Sequence, residues 1–171
     1  MTVDMNSFLW IMLLPVVFML HEFEEIIMFP SWTRKNEQIL SNKFPVLRNK
    51  IPFLKTEAFS MVVFEEFIIV SICSVLSLVS GEMIYYYIVL LAFSLHLIVH
   101  VIQFLILRKY IPSIITAILC MPYCVKAIGD NSVYYSLSMN IVIGLFGIMI
   151  GFINLIIMQK VACKITNRMM R

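Results

Sequence analysis

MIYYYIVLLAFSLHLIVHVIQFLIL, residues 83–107, is followed at once by Arg108 and Lys109. The run passes without one Asp, Glu, Lys or Arg. A helix rises ~1.5 Å per residue, so such a run outspans the ~30 Å hydrocarbon core of a bilayer. Two histidines, His96 and His100, lie inside it. The stretch reads as a transmembrane helix with polar groups at depth, and the rest of the chain follows from that reading.

Composition agrees. Of 171 residues, 61% are hydrophobic and 13% charged, with mean hydropathy +0.95. A soluble domain needs roughly a quarter of its residues charged to cover its core. This chain must use lipid as solvent, and its length allows one domain, 1–171. Four further apolar runs stand beside the first. They cover 7–29, stopped by Pro30; 57–80, joined to the next by Gly81 and Glu82; 111–126; and 133–159, after a turn at Gly129, Asp130 and Asn131. The expected fold is an all-α integral membrane helical bundle of about five transmembrane helices.

The basic residues orient it. Arg34, Lys35, Lys43, Arg48, Lys50 and Lys55 follow the first run; Arg108 and Lys109 follow the third; Lys160, Lys164, Arg168 and Arg171 follow the fifth. Five spans put all three groups on one side, with only Lys126 opposite. Lys and Arg mark the cytoplasmic side, so the N-terminus is expected outside and the C-terminus inside. The segment 30–56 mixes these cations with Trp32, Leu40, Phe44 and Phe53, as a cytoplasmic interfacial loop would. No basic n-region precedes the first run, so it is expected to be retained rather than cleaved as a signal peptide. A net charge of +3 is too small to suggest nucleic acid, and membrane lipid is the expected partner of so apolar a chain. Cys73, Cys120, Cys124 and Cys163 lie in or beside apolar runs and read as packing residues. Gly144, Gly147 and Gly151 form a small-residue face that offers close helix packing or a homodimer contact.

Ionisable groups inside a membrane are costly and usually functional. Eight lie in the runs: His21, Glu22, Glu24, Glu25, Glu65, Glu66, His96 and His100. By the helical rise, His21 and Glu65 lie ~12 Å, and His100 ~10 Å, from the basic ends of their helices. Three helices thus bring their polar groups to one level, in the cytoplasmic half of the bilayer. His21, Glu24 and Glu25 share a face at i, i+3 and i+4, while Glu22 points away from Glu24. His96 and His100 have the i, i+4 spacing of two imidazoles on one metal. Glu65 and Glu66 differ by ~100°, and the sequence leaves open which one faces the centre. No Lys or Arg shares the level of these five carboxylates. A divalent metal answers the imbalance: zinc, or iron or manganese. His21, His96 and His100 are the expected ligands, with Glu25 and Glu65 or Glu66. Glu24 is a further ligand or a general base for a metal-activated water, and Gln103 and Asn154 support the ligands from nearer the cytoplasmic face. Two metals bridged by Glu remain an alternative. So does a bundle in which protonated carboxylates and neutral histidines bond to each other.

The cluster His21-Glu22-Phe23-Glu24-Glu25 reads H-x-x-E-E. With Phe64-Glu65-Glu66, His96-x-x-x-His100 and Tyr110-x-Pro112, it resembles the HXXEE-motif family of small bacterial integral membrane proteins. The resemblance runs from the first helix through the fourth. It implies a bacterial cytoplasmic membrane and marks His21, Glu24 and Glu25 as signature residues, without naming a reaction. Where the family leads one to expect Gly after the proline, this chain has Ser113.

The functional expectation is a metal-dependent membrane enzyme. Zinc implies hydrolysis of a lipidic or membrane-embedded substrate; paired iron implies an oxidoreductase acting on an acyl chain. A metal-ion or proton transporter or sensor would need polar groups continuing to the outer face, where the second run offers only Ser71, Ser74, Ser77 and Ser80. A structural or accessory subunit is the remaining class.

Overall fold

The computed structural model describes residues 5–43, 56–132 and 135–169. They form α1 (Met5–Lys35), α2 (Glu37–Lys43), α3 (Thr56–Ser80), α4 (Ile84–Leu107), α5 (Ile114–Ser132) and α6 (Leu137–Met169). No strand occurs among the described residues. Among the described residues, four helices are long and apolar enough to cross a membrane: α3, α4, α5 and α6.

Three helix ends differ from expectation, each for a physical reason. α1 does not stop at Pro30 but continues to Lys35. A helical proline loses one backbone hydrogen bond. The turn beyond it is tied down elsewhere: Pro30 and Thr33 are buried, and Trp32 Nε1 donates to the Tyr110 carbonyl at 3.0 Å. The expected loop 30–56 therefore begins as helix, with α2 following; residues 44–55 lie outside the described ones. The turn expected at Gly129–Asn131 is helical. Lys126 pairs with Asp130 at 2.7 Å and Asn131 Nδ2 donates to the Ala127 carbonyl, which carries α5 to Ser132. α6 runs past Gln159 because Ala162, fully buried, packs on Ala58 and Val62 of α3.

α1 packs against α3 and α5, and α4 against α3, α5 and α6. Their shared core includes Leu14 and Phe18, Val63 and Val70, Tyr86, Leu90 and Leu97, with Ala117. Cys120 and Cys124 are buried in it, and all four cysteines are free. The serine stripe on α3 also packs inward: Ser74 and Ser77 are buried, and Ser77 Oγ accepts the Tyr86 N–H at 2.9 Å. Outside, the bundle is apolar, with Val79, Leu119, Leu145 and Phe152 exposed. Lys43 Nζ donates to the Ile106 carbonyl at 2.8 Å. Together with the Trp32–Tyr110 bond and the Ala162 packing, this gathers the C-terminal ends of α1, α4 and α6 at one end of the bundle. Arg34, Lys35, Arg108, Lys109, Lys160 and Lys164 cluster there.

The glycines of α6 work within the chain. A Cβ on Gly147 would stand 3.1 Å from the Ile88 backbone oxygen and 3.7 Å from Ala92 Cβ, and one on Gly144 3.9 Å from Leu91 Cδ1. The close approach is thus made to α4. A Cβ on Gly151 would meet nothing within 4 Å. Gly147→Ala is expected to be less stable than Gly151→Ala by about 1–2 kcal/mol: both gain helix propensity, but only the first presses on backbone. Thermal unfolding in detergent checks the order.

Candidate metal centre

Three helices supply the polar groups, and the start of α5 fixes them. Glu24 of α1 sits on the N-terminus of α5. Its Oε2 accepts the Thr116 N–H at 3.0 Å and the Thr116 hydroxyl at 2.7 Å; its Oε1 accepts the Tyr110 hydroxyl at 2.7 Å. A carboxylate there satisfies an orphan helix N–H and opposes the helix dipole. Burial and the hydrogen bond to Glu24 push the Tyr110 phenol, in the connection between α4 and α5, up to about 12. A raised folded-state value means that this bond's contribution is full below the free phenol's ~10. It is lost as pH rises through about 12.

The same hydroxyl decides the state of His21. Thr116 Oγ1 has one proton, directed to Glu24 at 2.7 Å, so towards His21 Nδ1, 3.1 Å away, it can only accept. His21 Nδ1 therefore carries the ring proton, and Nε2 keeps a free lone pair. His21 is fully buried, and its Nε2 has no hydrogen-bond partner among the described residues. Such orphans are rare, because burying an unpaired polar group costs about 1–3 kcal/mol.

Beside it, His100 Nε2 lies 2.9 Å from Glu25 Oε1 and 3.0 Å from His96 Nε2. One ring nitrogen cannot donate to both. The His21 ring centroid is 5.2 Å from that of His96 and 5.1 Å from that of His100. One ligand atom from each of His21, Glu25, His96 and His100 can be chosen so that all lie within 4.8 Å of one another. A tetrahedral metal with bonds of ~2.0–2.1 Å separates its ligand atoms by ~3.3 Å, so the group needs only a small contraction. The four donors, with the orphaned Nε2 among them, could hold a metal ion.

Ser113 supports Glu25. Its hydroxyl donates to Glu25 Oε1 at 2.7 Å. Its φ of 79° lies in the left-handed region that favours glycine. The serine replaces the glycine that this backbone suits and gains a bond to a buried carboxylate. Ser113→Ala keeps the strain and loses the bond, whereas Ser113→Gly loses the bond but relieves the strain. The glycine variant is expected to be more stable than the alanine one by about 1 kcal/mol, with metal retention weakened in both. Melting and metal titration check the pair.

The remaining expected site residues divide. Glu65 Oε2 accepts Asn154 Nδ2 at 2.9 Å, a pair bridging α3 and α6 outside the group of four. Glu66 is the neighbour within electrostatic reach of Glu22 and Glu25. Gln103, one turn beyond His100, is half-buried and bonds to none of the group among the described residues. Glu24 is committed to α5. Glu22, expected to point away, is 2% exposed, with Oε1 3.6 Å from His96 Nε2. It is buried because α1 has protein on two sides: Glu24 meets α5 while Glu22 turns towards Glu66 of α3. The sequence marks Tyr110, Ser113 and Thr116 as site residues by no spacing of their own; the resemblance alone points to Tyr110-x-Pro112 and to Ser113 in place of an expected Gly.

Residues 12–127 match the family described as a protein of unknown function with HXXEE motif. The chain belongs to the HXXEE family. The match takes in His21 through Glu25, both later histidines and the Glu24 and Glu25 contacts on α5, but not α6 with Asn154. No curated protein matches the chain, and no solved structure does. The HXXEE signature thus falls on residues with two different tasks: His21 and Glu25 in the donor group, Glu24 on the helix that holds it.

Proposed function

We propose that the chain is a five-span membrane protein with a divalent metal centre of His21, His96, His100 and Glu25, acting as a hydrolase on a lipidic substrate. The buried Nε2 of His21, with its lone pair free, carries this reading. α1 is the fifth span. Leu9, Leu13, Val16, Leu20, Phe23 and Ile27 are exposed along one side of it, at helical spacing, with the carboxylates and His21 on the others. The basic end then lies in the cytoplasm of a bacterium and the N-terminus outside.

Three imidazoles and a carboxylate suit zinc. Held by three of these donors, with a position left open to water, zinc would polarise a carbonyl and acidify that water. The protein's own part is positional. Thr116 and Glu24 hold His21 in one tautomer, and Ser113 orients Glu25. Glu22, beside His96 and joined to no hydrogen bond among the described residues, is the carboxylate placed to take a proton; Glu24 is not. The closeness of Glu22, Glu25 and Glu66 favours a second reading, a dinuclear iron oxidoreductase.

Proteoliposomes with mixed lipid esters test the first reading by mass spectrometry of products. Hydrolysis of one lipid class is expected from wild type, absent after chelation, restored by zinc and absent in His100→Ala. Equal turnover in all samples contradicts it, and oxygen-dependent products would favour the iron reading.

A further inference from the structure

The donor group is closed on most sides. His21 is fully buried, and the side chains of His100 and Glu25 are nearly so. His96 differs: 41% of its side chain is accessible.

The path of α6 accounts for the opening. Near its start, Gly147 rests on Ile88 and Ala92 of α4. Further along, Asn154 reaches Glu65 and Ala162 packs on Ala58 and Val62, all of α3. α6 therefore crosses obliquely from α4 to α3. The side of α4 that continues Ile88 and Ala92 is left uncovered, and Val99 and Ile106 on it are 47% and 49% exposed. Gly151 lies at the crossing. At ~100° per residue it falls between Gly144 and Gly147, on the side turned to the bundle. Yet a Cβ there would meet nothing within 4 Å. A wedge thus opens between α4 and α6 towards the basic end. Its walls are apolar, with Val99 and Ile106 of α4 on one side and Gly151 of α6 on the other, and His96 stands one turn from Val99 on α4.

We infer that this wedge is a lateral portal through which a single-chain amphiphile, a fatty acid or its ester, reaches the metal centre from within the bilayer. The polar head meets His96 while the acyl chain lies between Val99 and Gly151. The head's chemistry rests on the metal reading above; the route rests on the helix packing alone. Bulk at Gly151 points into open space, so it should close the portal without unfolding the chain.

The test uses the full chain in liposomes with a diazirine-bearing fatty acid, cross-linked by light and mapped by mass spectrometry. Metal content and melting are measured on the same samples. Labelling is expected around Val99, Ile106 and Gly151. It should fall at least about tenfold in Gly151→Leu and in Val99→Trp, with metal content unchanged and melting not lowered. Labelling spread evenly over outward residues such as Leu145 and Ile118, or surviving both substitutions, overturns the portal. Wedge-confined labelling in a wild type without metal would support the route while removing the metal reading.

Discussion

Glu25→Ala is expected to weaken metal binding by more than ~100-fold and to cost about 3 kcal/mol of stability. Glu25 Oε1 is the meeting point of three helices: it belongs to α1, accepts Ser113 at the start of α5 and lies 2.9 Å from His100 of α4. Its removal takes one donor from the proposed centre and strands two buried partners, His100 and Ser113. Groups left unpaired in a low-dielectric interior carry most of such a loss. Competition with a chromophoric chelator reads the affinity, and thermal unfolding reads the stability. Glu25→Gln separates the two effects. It keeps the volume and an acceptor for Ser113, so more of the stability than of the affinity should return. Unchanged affinity in both variants would remove Glu25 from the centre.

Thr116→Val is the second large effect, expected from a residue that touches no metal. The substitution keeps the shape but deletes the hydroxyl between Glu24 Oε2 and His21 Nδ1. His21 is then free to move its proton to Nε2 and lose its lone pair as a donor. Affinity should fall by about 10–100-fold, the range for partners that orient metal-bound histidines. Stability should fall by only about 1–2 kcal/mol, because the Thr116 N–H still reaches Glu24. Thr116→Ser keeps the hydroxyl and should restore binding. A merely structural role predicts the reverse balance, with melting changed and affinity not.

Much of this arrangement is legible in the sequence, and what is not has identifiable causes. Hydrophobic run length places the helices, since length and apolarity are what a bilayer demands. Depth counting brings His21, Glu25, His96 and His100 together, because alternating helix directions turn residue counts into levels. Pro30 misleads, because the contacts that hold the turn beyond it come from Tyr110, 80 residues away. Glu22 misleads in a different manner. Helical spacing gives its direction correctly, but only the packing of α1 between α3 and α5 shows that this direction is also interior. Ser113 and Thr116 look like ordinary residues at a helix start, and their importance comes from what α1 places opposite them. The course of α6 from α4 to α3 leaves no mark in a sequence whose Gly144, Gly147 and Gly151 all fall on one helix face.

The most direct measurement of the central claim is elemental analysis of the detergent-purified chain beside His21→Ala, His100→Ala and Glu65→Ala. The centre described above predicts about one zinc per chain in wild type. The metal should be lost in both histidine variants and retained in Glu65→Ala, whose carboxylate is paired with Asn154. No metal in any preparation, even after supplementation, would contradict it and leave the His–Glu group as a hydrogen-bonded core.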